Sequence, residues 1–467
     1  MKLYNTLSRQ IESLEPLASP KVSVYTCGPT VYDYPHIGNW FTFIRYDLLI
    51  RTLTESGYEP NWVMNITDVG HLTSDADEGE DKLAKAAAKE HKTAWDLAGY
   101  YSDYFLGALS RLNFTSPWQT PRATDHIAEQ IELIKQLEER GYTYKIKDGI
   151  YYDTAKFADY GNFARLDLDE QQSGLRIEAN PEKHNSSDFA LWKFAPEGVK
   201  RDMEWDSPWG KGFPGWHIEC SAMCYRYLGE TIDIHSGGID HIPVHHTNEI
   251  AQSEAVTNKP LAKIWMHTNH ILYNDQKISK SLGNGITLED IAANNLDLRA
   301  FRLYVSESHY RSQSKFSWDG LNIAQNRLLK FINFAALRYQ LRDDAAVTNL
   351  ASDKILSCMQ DDLNTPQALA EFESLIEQCE QTKVSTGSFS STLSLVDSLF
   401  GLDLEKGTPD INDQAKSLIN SREQARKAKD WVLSDRLRTE LAGLNIGIND
   451  TAEQGQIWYY LTIPRNS

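Results

Sequence analysis

Val22, Val24 and Thr26 place a β-branched residue at every second position, and this period of two predicts a strand ending near Cys27. The spacing then turns helical at Phe43, Ile44, Leu48 and Leu49, with Asn39 expected to cap the helix and Gly57 to end it. Residues 62–66 read as a second strand, and the short crossover implies a parallel pair. The same succession returns near Gly215. There 216–228 reads as helix, 231–235 as extended chain and 245–257 as helix. A charged, aromatic segment with several turn signals, 121–212, separates the two stretches. Two α/β halves around an insert predict one doubly wound, Rossmann-like parallel sheet.

Farther on the pattern is helical from about Asn322 to Phe400, with the Ser/Thr-rich 385–392 expected to break it. Residues 401–413 mix Gly, Pro and charge as linkers do, and a small terminal unit is expected from about Gln414. A chain of 467 residues exceeds what one core serves, so several domains are expected. The α/β halves fall at 1–120 and 213–260, the insert at 121–212, and a region carrying a lysine loop at 261–321. A helical bundle occupies 322–400, and a linker with the terminal domain occupies 401–467.

Charge narrows the partners. A net charge of −18 counts against a nucleic-acid partner unless a basic patch is gathered locally. No apolar run approaches the length that crosses a bilayer, and the first twelve residues lack the apolar segment of a signal peptide, so a cytoplasmic protein is expected. Five cysteines, at 27, 220, 224, 358 and 379, are too scattered for a disulfide framework and point to metal binding or chemistry.

Two segments suit a nucleotide. Pro35-His36-Ile37-Gly38-Asn39 falls between the first strand and first helix, at the edge where doubly wound sheets bind ligands. The helix start offers N–H groups to phosphate, Gly38 admits a close neighbour, and His36 offers a hydrogen bond. Lys277-Ile278-Ser279-Lys280-Ser281-Leu282-Gly283-Asn284 sets two lysines three apart, able to neutralise a departing pyrophosphate. Taken singly, the first is most often a plain turn and the second a solvated basic loop. No Walker loop or GxGxxG fingerprint competes with them.

Metal-binding side chains concentrate between Gly215 and Glu249. His217, Cys220 and Cys224 are followed by His235, His241, His245, His246 and Glu249. His245 and Glu249 are four apart and share one helical face. With two thiolates they would make a tetrahedral zinc site. Spacing leaves the set open, because Cys220 and Cys224 are also four apart and several histidines compete.

Together and in this order, the two nucleotide segments resemble the paired HIGH and KMSKS signatures of class I aminoacyl-tRNA synthetases. Asn39 stands for the second His and Ile278 for Met. Tyr25-Thr26-Cys27-Gly28-Pro29-Thr30-Val31-Tyr32-Asp33, with 215–223 and 235–249, resembles cysteinyl-tRNA synthetases specifically, and the similarity spans nearly the whole chain. The resemblance implies one Zn²⁺ held by Cys27, Cys220, His245 and Glu249, with Cys224 and His246 left as core residues. It implies ATP with Mg²⁺ at His36, Gly38, Asn39, Lys277 and Lys280, of which all but Gly38 are catalytic. It places L-cysteine at Thr67, Trp216 and Asp240, the last through the substrate's ammonium. It also implies a monomer that works on tRNA-Cys. In its terms 121–212 is a connective-peptide insert, 261–321 a stem-contact region, and the terminal domain binds the anticodon.

The basic patch that such a partner requires is present. Arg422, Arg426, Lys427, Lys429, Arg436 and Arg438 surround Trp431 on a predicted helix, although such a run alone is most often a solvated face with i,i+4 ion pairs. The resemblance assigns base reading to Arg426, Asp435 and Asp450, and base stacking to Trp431 and Trp458. Departures from the family pattern are local: Val69-Gly70-His71, Phe213, His241-Ile242-Pro243-Val244 and Thr247. They bear on the shape of the pocket and on an acceptor-stem contact. Two other readings compete. A cysteine:amino-sugar ligase of the mycothiol type shares the adenylation chemistry but usually lacks the full terminal unit. A noncatalytic tRNA-binding or cysteine-sensing paralogue would not need His36, Lys277 and Lys280.

Overall fold

The β–α–β start is present as β1 (Lys21–Thr26), α1 (Ile37–Glu55) and β2 (Glu59–Met64). The second stretch forms α2 (Trp216–Leu228), β3 (Ile232–Gly238), α3 (Thr247–Thr257) and β4 (Ala262–Thr268). These strands make one parallel sheet in the order β4-β3-β1-β2. The computed structural model describes residues 1–70, 82–165, 180–195, 201–278, 283–341, 350–381, 385–451 and 455–464. It divides into two units, Met1–Thr287 with Tyr310–Lys315 and Leu288–His309 with Phe316–Ser467.

The strand order reverses between β1 and β3, since β1 leads outward to β2 on one side and β3 to β4 on the other. Past the carboxyl ends of two such strands neither crossover covers the sheet, and a crevice is left for a ligand. Cys27 stands at that place, its N–H donating to the carbonyl of Ser236 at 3.1 Å.

Helix α1 starts one turn earlier than its expected cap. The cap is His36 and not Asn39. The His36 ring accepts the N–H of Asn39 at 3.3 Å, and the Asn39 side chain accepts the N–H of His36 at 3.1 Å. Asn39 is therefore the third helical residue of a capping box, where a polar side chain reaches back to the cap.

The insert is not a separate body. Strands Thr143–Ile146, Gly149–Tyr152, Phe189–Phe194 and Gly212–Pro214 form an antiparallel sheet. Leu133, Ile134, Ile150 and Leu191 share one apolar cluster with Ile218 and Ala222 of α2 and Ala251 and Ala255 of α3. The insert thereby braces the two helices that carry Cys220 and Glu249.

The second unit is helical. In α4 (Trp318–Ala336), Phe331 and Phe334 pack on Phe372, and Phe334 also meets Phe389. The expected break at 385–392 is instead the start of a helix, Thr386–Phe400. Ser385 accepts the N–H of Ser388 at 3.1 Å, and Phe389, Leu393 and Val396 are buried along one face. A hydroxyl that competes with the backbone inside a helix satisfies an orphan N–H at its beginning. Residues 401–412 form no helix or strand, yet Leu402, Leu404 and Thr408 are fully buried, so this is packed chain rather than a solvated linker.

The chain ends in α5 (Asp413–Lys427), α6 (Trp431–Gly443) and a hairpin of β5 (Ile446–Thr451) and β6 (Gly455–Tyr460). Two side-chain amides occupy the outer edge of β6. Asn333 exchanges both hydrogen bonds with the backbone of Tyr460, at 2.8 and 3.0 Å, and Gln340 does the same with Trp458. They stand in for a missing strand and protect the edge. No described helix is long and apolar enough to cross a membrane.

Candidate active site

Cys27 is aimed by its neighbours. Gly28 donates its N–H to the Asn65 side chain at 3.0 Å, and a Cβ at Gly28 would lie 1.8 Å from the Asn65 carbonyl oxygen, so only glycine fits. Asn65 also donates to the Thr67 hydroxyl at 3.1 Å. The turn after β1 is thus locked to the turn after β2. Cys220 comes from the second turn of α2. His245 closes a π-helical turn, Ile242–His246, that runs into α3 and Glu249. Thr247, one of the departures, donates to the carbonyl of Ile242 at 2.7 Å and secures that turn.

The donor atoms of Cys27, Cys220, His245 and Glu249 all lie within 4.8 Å of one another, and all four residues are buried. His245 Nε2 is 3.0 Å from Glu249 Oε1, and Cys27 Sγ is 4.0 Å from the same oxygen. A second set, Cys27, His235, His246 and Glu249, converges equally closely. His246, expected only to fill the core, lies 3.3 Å from the Cys27 sulfur and pairs with His267 at 2.7 Å. Cys224 is buried as expected. Burial pushes the Cys27 thiol well up, whereas the hydrogen bond from Cys27 brings Cys220 down to about 7. Burial opposes charge on His245, but Glu249 and Cys220 outweigh it and raise the imidazole to about 10. Burial would likewise raise Glu249, and His235 with His245 holds it far below the usual carboxylate range. Two thiols, an imidazole and a carboxylate with converging buried donors fit a tetrahedral zinc ion. The set with two sulfurs is the softer of the two and suits zinc better.

The nucleotide segments meet. A Cβ at Gly38 would lie 2.9 Å from the His36 ring, so glycine makes room for that ring, and 3.7 Å from Cβ of Ile278, an ordinary contact that brings the two segments together. The N–H of Ile37 donates to the carbonyl of Ile286 at 2.7 Å. The lysine loop therefore leaves from and returns to the start of α1. Lys280 lies outside the described residues. Lys277 is ion-paired with Asp240, whose other oxygen is 2.8 Å from His270 Nε2. His270 was not foreseen, because it approaches Asp240 only through the pairing of β3 with β4. Thr67 is buried, and Trp216 lies against His245 with ring centroids 4.6 Å apart.

The family described as tRNA synthetases class I (C) catalytic domain matches residues 13–326, and the cysteinyl-tRNA ligase anticodon binding domain matches 408–458. A cysteine–tRNA ligase of Treponema denticola is 41% identical, covering 97% of this chain and 98% of its own. Cysteine–tRNA ligase 1 of Burkholderia lata is 43% identical, covering 97% and 96%. The chain belongs to the cysteine–tRNA ligase family. Its fold is also that of methionyl-tRNA synthetase from Mycobacterium tuberculosis, with a TM-score of 0.58 at 14% identity over 82% of this chain and 92% of that one.

Within this cysteine–tRNA ligase family member the departures have visible partners. Phe213 lies under the Arg201 guanidinium, 3.7 Å from the ring centroid, and Arg201 donates to the Gly70 carbonyl at 3.0 Å. A cation thus stands over Phe213, one of the departures. His71 lies outside the described residues. His241 sits among the histidines, its ring centroid 5.1 Å from those of both His245 and His246.

The terminal domain differs from expectation in two respects: the basic run expected on one helix is divided between α5 and α6, with Lys429 in the turn between them, and Trp458 is not exposed. Trp431 is exposed beside Arg426, whose guanidinium is 5.6 Å from its ring, and Asp435 is exposed on α6. Trp458, expected to stack on a base, is buried and stacks on Tyr339. The Asp450 carboxylate is shared by Arg422, Arg426 and Arg438 at 2.8, 3.1 and 3.3 Å. A local sequence pattern shows charge but not which charges pair across a hairpin.

Proposed function

We propose that this chain activates L-cysteine with ATP and transfers it to the 3′-terminal adenosine of tRNA-Cys. The observation that carries the reading is the convergence of two thiols, an imidazole and a carboxylate in one buried cluster. Cys27, Cys220, His245 and Glu249 would hold zinc. When bound there, zinc supplies a soft Lewis acid that takes a thiolate far better than a hydroxyl, which distinguishes cysteine from serine.

The protein's own groups position and neutralise. Thr67 and Trp216 would line the amino-acid pocket, and Asp240 would take the ammonium. The cysteine carboxylate attacks the α-phosphorus of ATP, the bond to the bridging oxygen breaks, and pyrophosphate leaves with the electron pair. His36 and the start of α1 face the phosphates, and Lys277 and Lys280 with Mg²⁺ oppose the charge that grows on the leaving group. The terminal ribose hydroxyl then attacks the adenylate carbonyl and releases AMP. Such a reaction is served by orientation more than by a strong base.

The test is aminoacylation of tRNA-Cys with cysteine and with serine, together with metal analysis. Expected are about one zinc per chain and a preference for cysteine far above the ~10²-fold that an apolar pocket achieves against a near-isostere. Full activity in metal-free protein would defeat the zinc assignment. Transfer to an amino sugar in place of tRNA would favour the competing ligase reading.

A further inference from the structure

Asp240 has two oxygens and two different neighbours. His270 Nε2 lies 2.8 Å from one, and the Lys277 ammonium is on the other. The two neighbours are not held alike. The chain at His270 is pinned, with Asn269 bonding the Tyr310 carbonyl through its N–H at 2.8 Å and the Arg311 carbonyl through its side chain at 2.9 Å. Arg45, itself buried, donates to the Asn269 carbonyl at 3.1 Å. Among the described residues the Lys277 side chain meets Asp240, while its backbone is fixed: its carbonyl accepts from Asn284 at 3.1 Å and the next residue, Ile278, is buried against the Gly38 turn. Its side chain is 57% exposed and that of Asp240 39%, and ion pairs so open to water exchange partners readily.

We infer that His270 is a positioning residue that anchors one oxygen of Asp240, while the other passes from Lys277 to the ammonium of the incoming amino acid. The two ammonium groups are chemically alike and compete for one carboxylate oxygen. Cysteine binding therefore releases Lys277 toward the nucleotide at the Gly38 turn, and the two substrates bind with positive coupling. The inference rests on the reading of Asp240 as the ammonium site.

The coupling is measured with α,β-methylene ATP, which cannot release pyrophosphate, by calorimetric titration of the zinc-loaded full chain. Saturating cysteine should tighten the analogue about fivefold, the low end for coupled sites. 3-Mercaptopropionate, which keeps the thiol and carboxylate but lacks the ammonium, should leave its affinity unchanged. Asp240→Asn should bind the analogue about fivefold tighter without any amino acid and lose the response to cysteine. His270→Phe should raise KM for cysteine in pyrophosphate exchange with kcat little changed, and His270→Gln, which keeps a donor, should restore it. The inference is overturned if the deamino analogue tightens binding as cysteine does, or if Asp240→Asn leaves the analogue's affinity where it was. Absence of cysteine-dependent pyrophosphate exchange in the unaltered chain would instead overturn the proposed function.

Discussion

The buried donors around Cys27 and the face formed by α5 and α6 are two places where polar groups converge closely, and they differ in burial and in charge. Around Cys27, two thiols and a carboxylate converge with an imidazole in a space closed to water. On the terminal domain three guanidiniums share the carboxylate of Asp450, an excess of positive charge among the described residues of a partly open face. The first set of converging donors would take a small cation, because only an ion that fits inside can reach them. The second calls for an anion large enough to bind from outside, such as a phosphate chain. Burial decides which kind of partner each cluster takes, and the sign of the imbalance decides its charge.

The sharpest way to break this contrast is Cys220→Ser. Altering a residue merely behind a metal ligand costs up to ~100-fold in affinity or activity, so removing a ligand should cost about 100-fold or more. Zinc content and cysteine-dependent pyrophosphate exchange should fall together, read by elemental analysis and isotope exchange. Retention of full exchange without metal would mean that the buried cluster balances itself.

Asp450→Ala tests the other cluster. Arg422 is 1% exposed, and without Asp450 its guanidinium keeps, among the described residues, the Gln456 side chain. Losing a hydrogen bond between charged groups costs about 2 kcal/mol, to be read by urea unfolding of the terminal domain through Trp458 fluorescence. The pH dependence has a definite sign. The hydrogen bond from Arg422, with the charges of Arg422, Arg426 and Arg438, lowers the Asp450 pKa in the folded state. The stabilisation is then fully present above the unfolded value of about 3.9 and is lost as pH falls toward the lower folded value. The variant should lack this acid-side loss. An unchanged stability would show that the three arginines need no internal partner.

The two clusters were not equally legible in the sequence. Cys27, Cys220, His245 and Glu249 stand out because few residue types bind zinc, and resemblance then chose among the rival histidines and cysteines. The helix that carries Cys220 was expected over 216–228 and forms there, although 217–224 are all buried and no one-sided stripe marks it. What escaped depends on contacts between distant segments. His270 meets Asp240 across two neighbouring strands, and strand order leaves no trace in local spacing. Asp450 reaches Arg422 from a hairpin 28 residues on. Ser385 was misjudged for a different reason, since the same polar side chain that disrupts a helix inside can begin one at its end.

The smallest effect separates two tryptophans that sequence reading placed in the same role. Trp431 is 55% exposed in the first turn of α6 beside the Arg426 guanidinium, whereas Trp458 is 7% exposed and held by Tyr339 and Gln340. A ring can stack on an unpaired base only if one of its faces is open, and of the two only Trp431 offers this. Stacking contributes about 1–3 kcal/mol per base, and 1.4 kcal/mol is tenfold in binding. Trp431→Ala should therefore raise KM for tRNA about tenfold. Pyrophosphate exchange, which needs no tRNA, should stay unchanged, as should the unfolding midpoint. If exchange fell with aminoacylation, the role of Trp431 would be structural and the open face of α6 would not be the one that meets the nucleic acid. If neither changed, the excess positive charge of the arginine cluster alone would suffice to hold the partner, and the contrast between the two clusters would rest on charge without stacking.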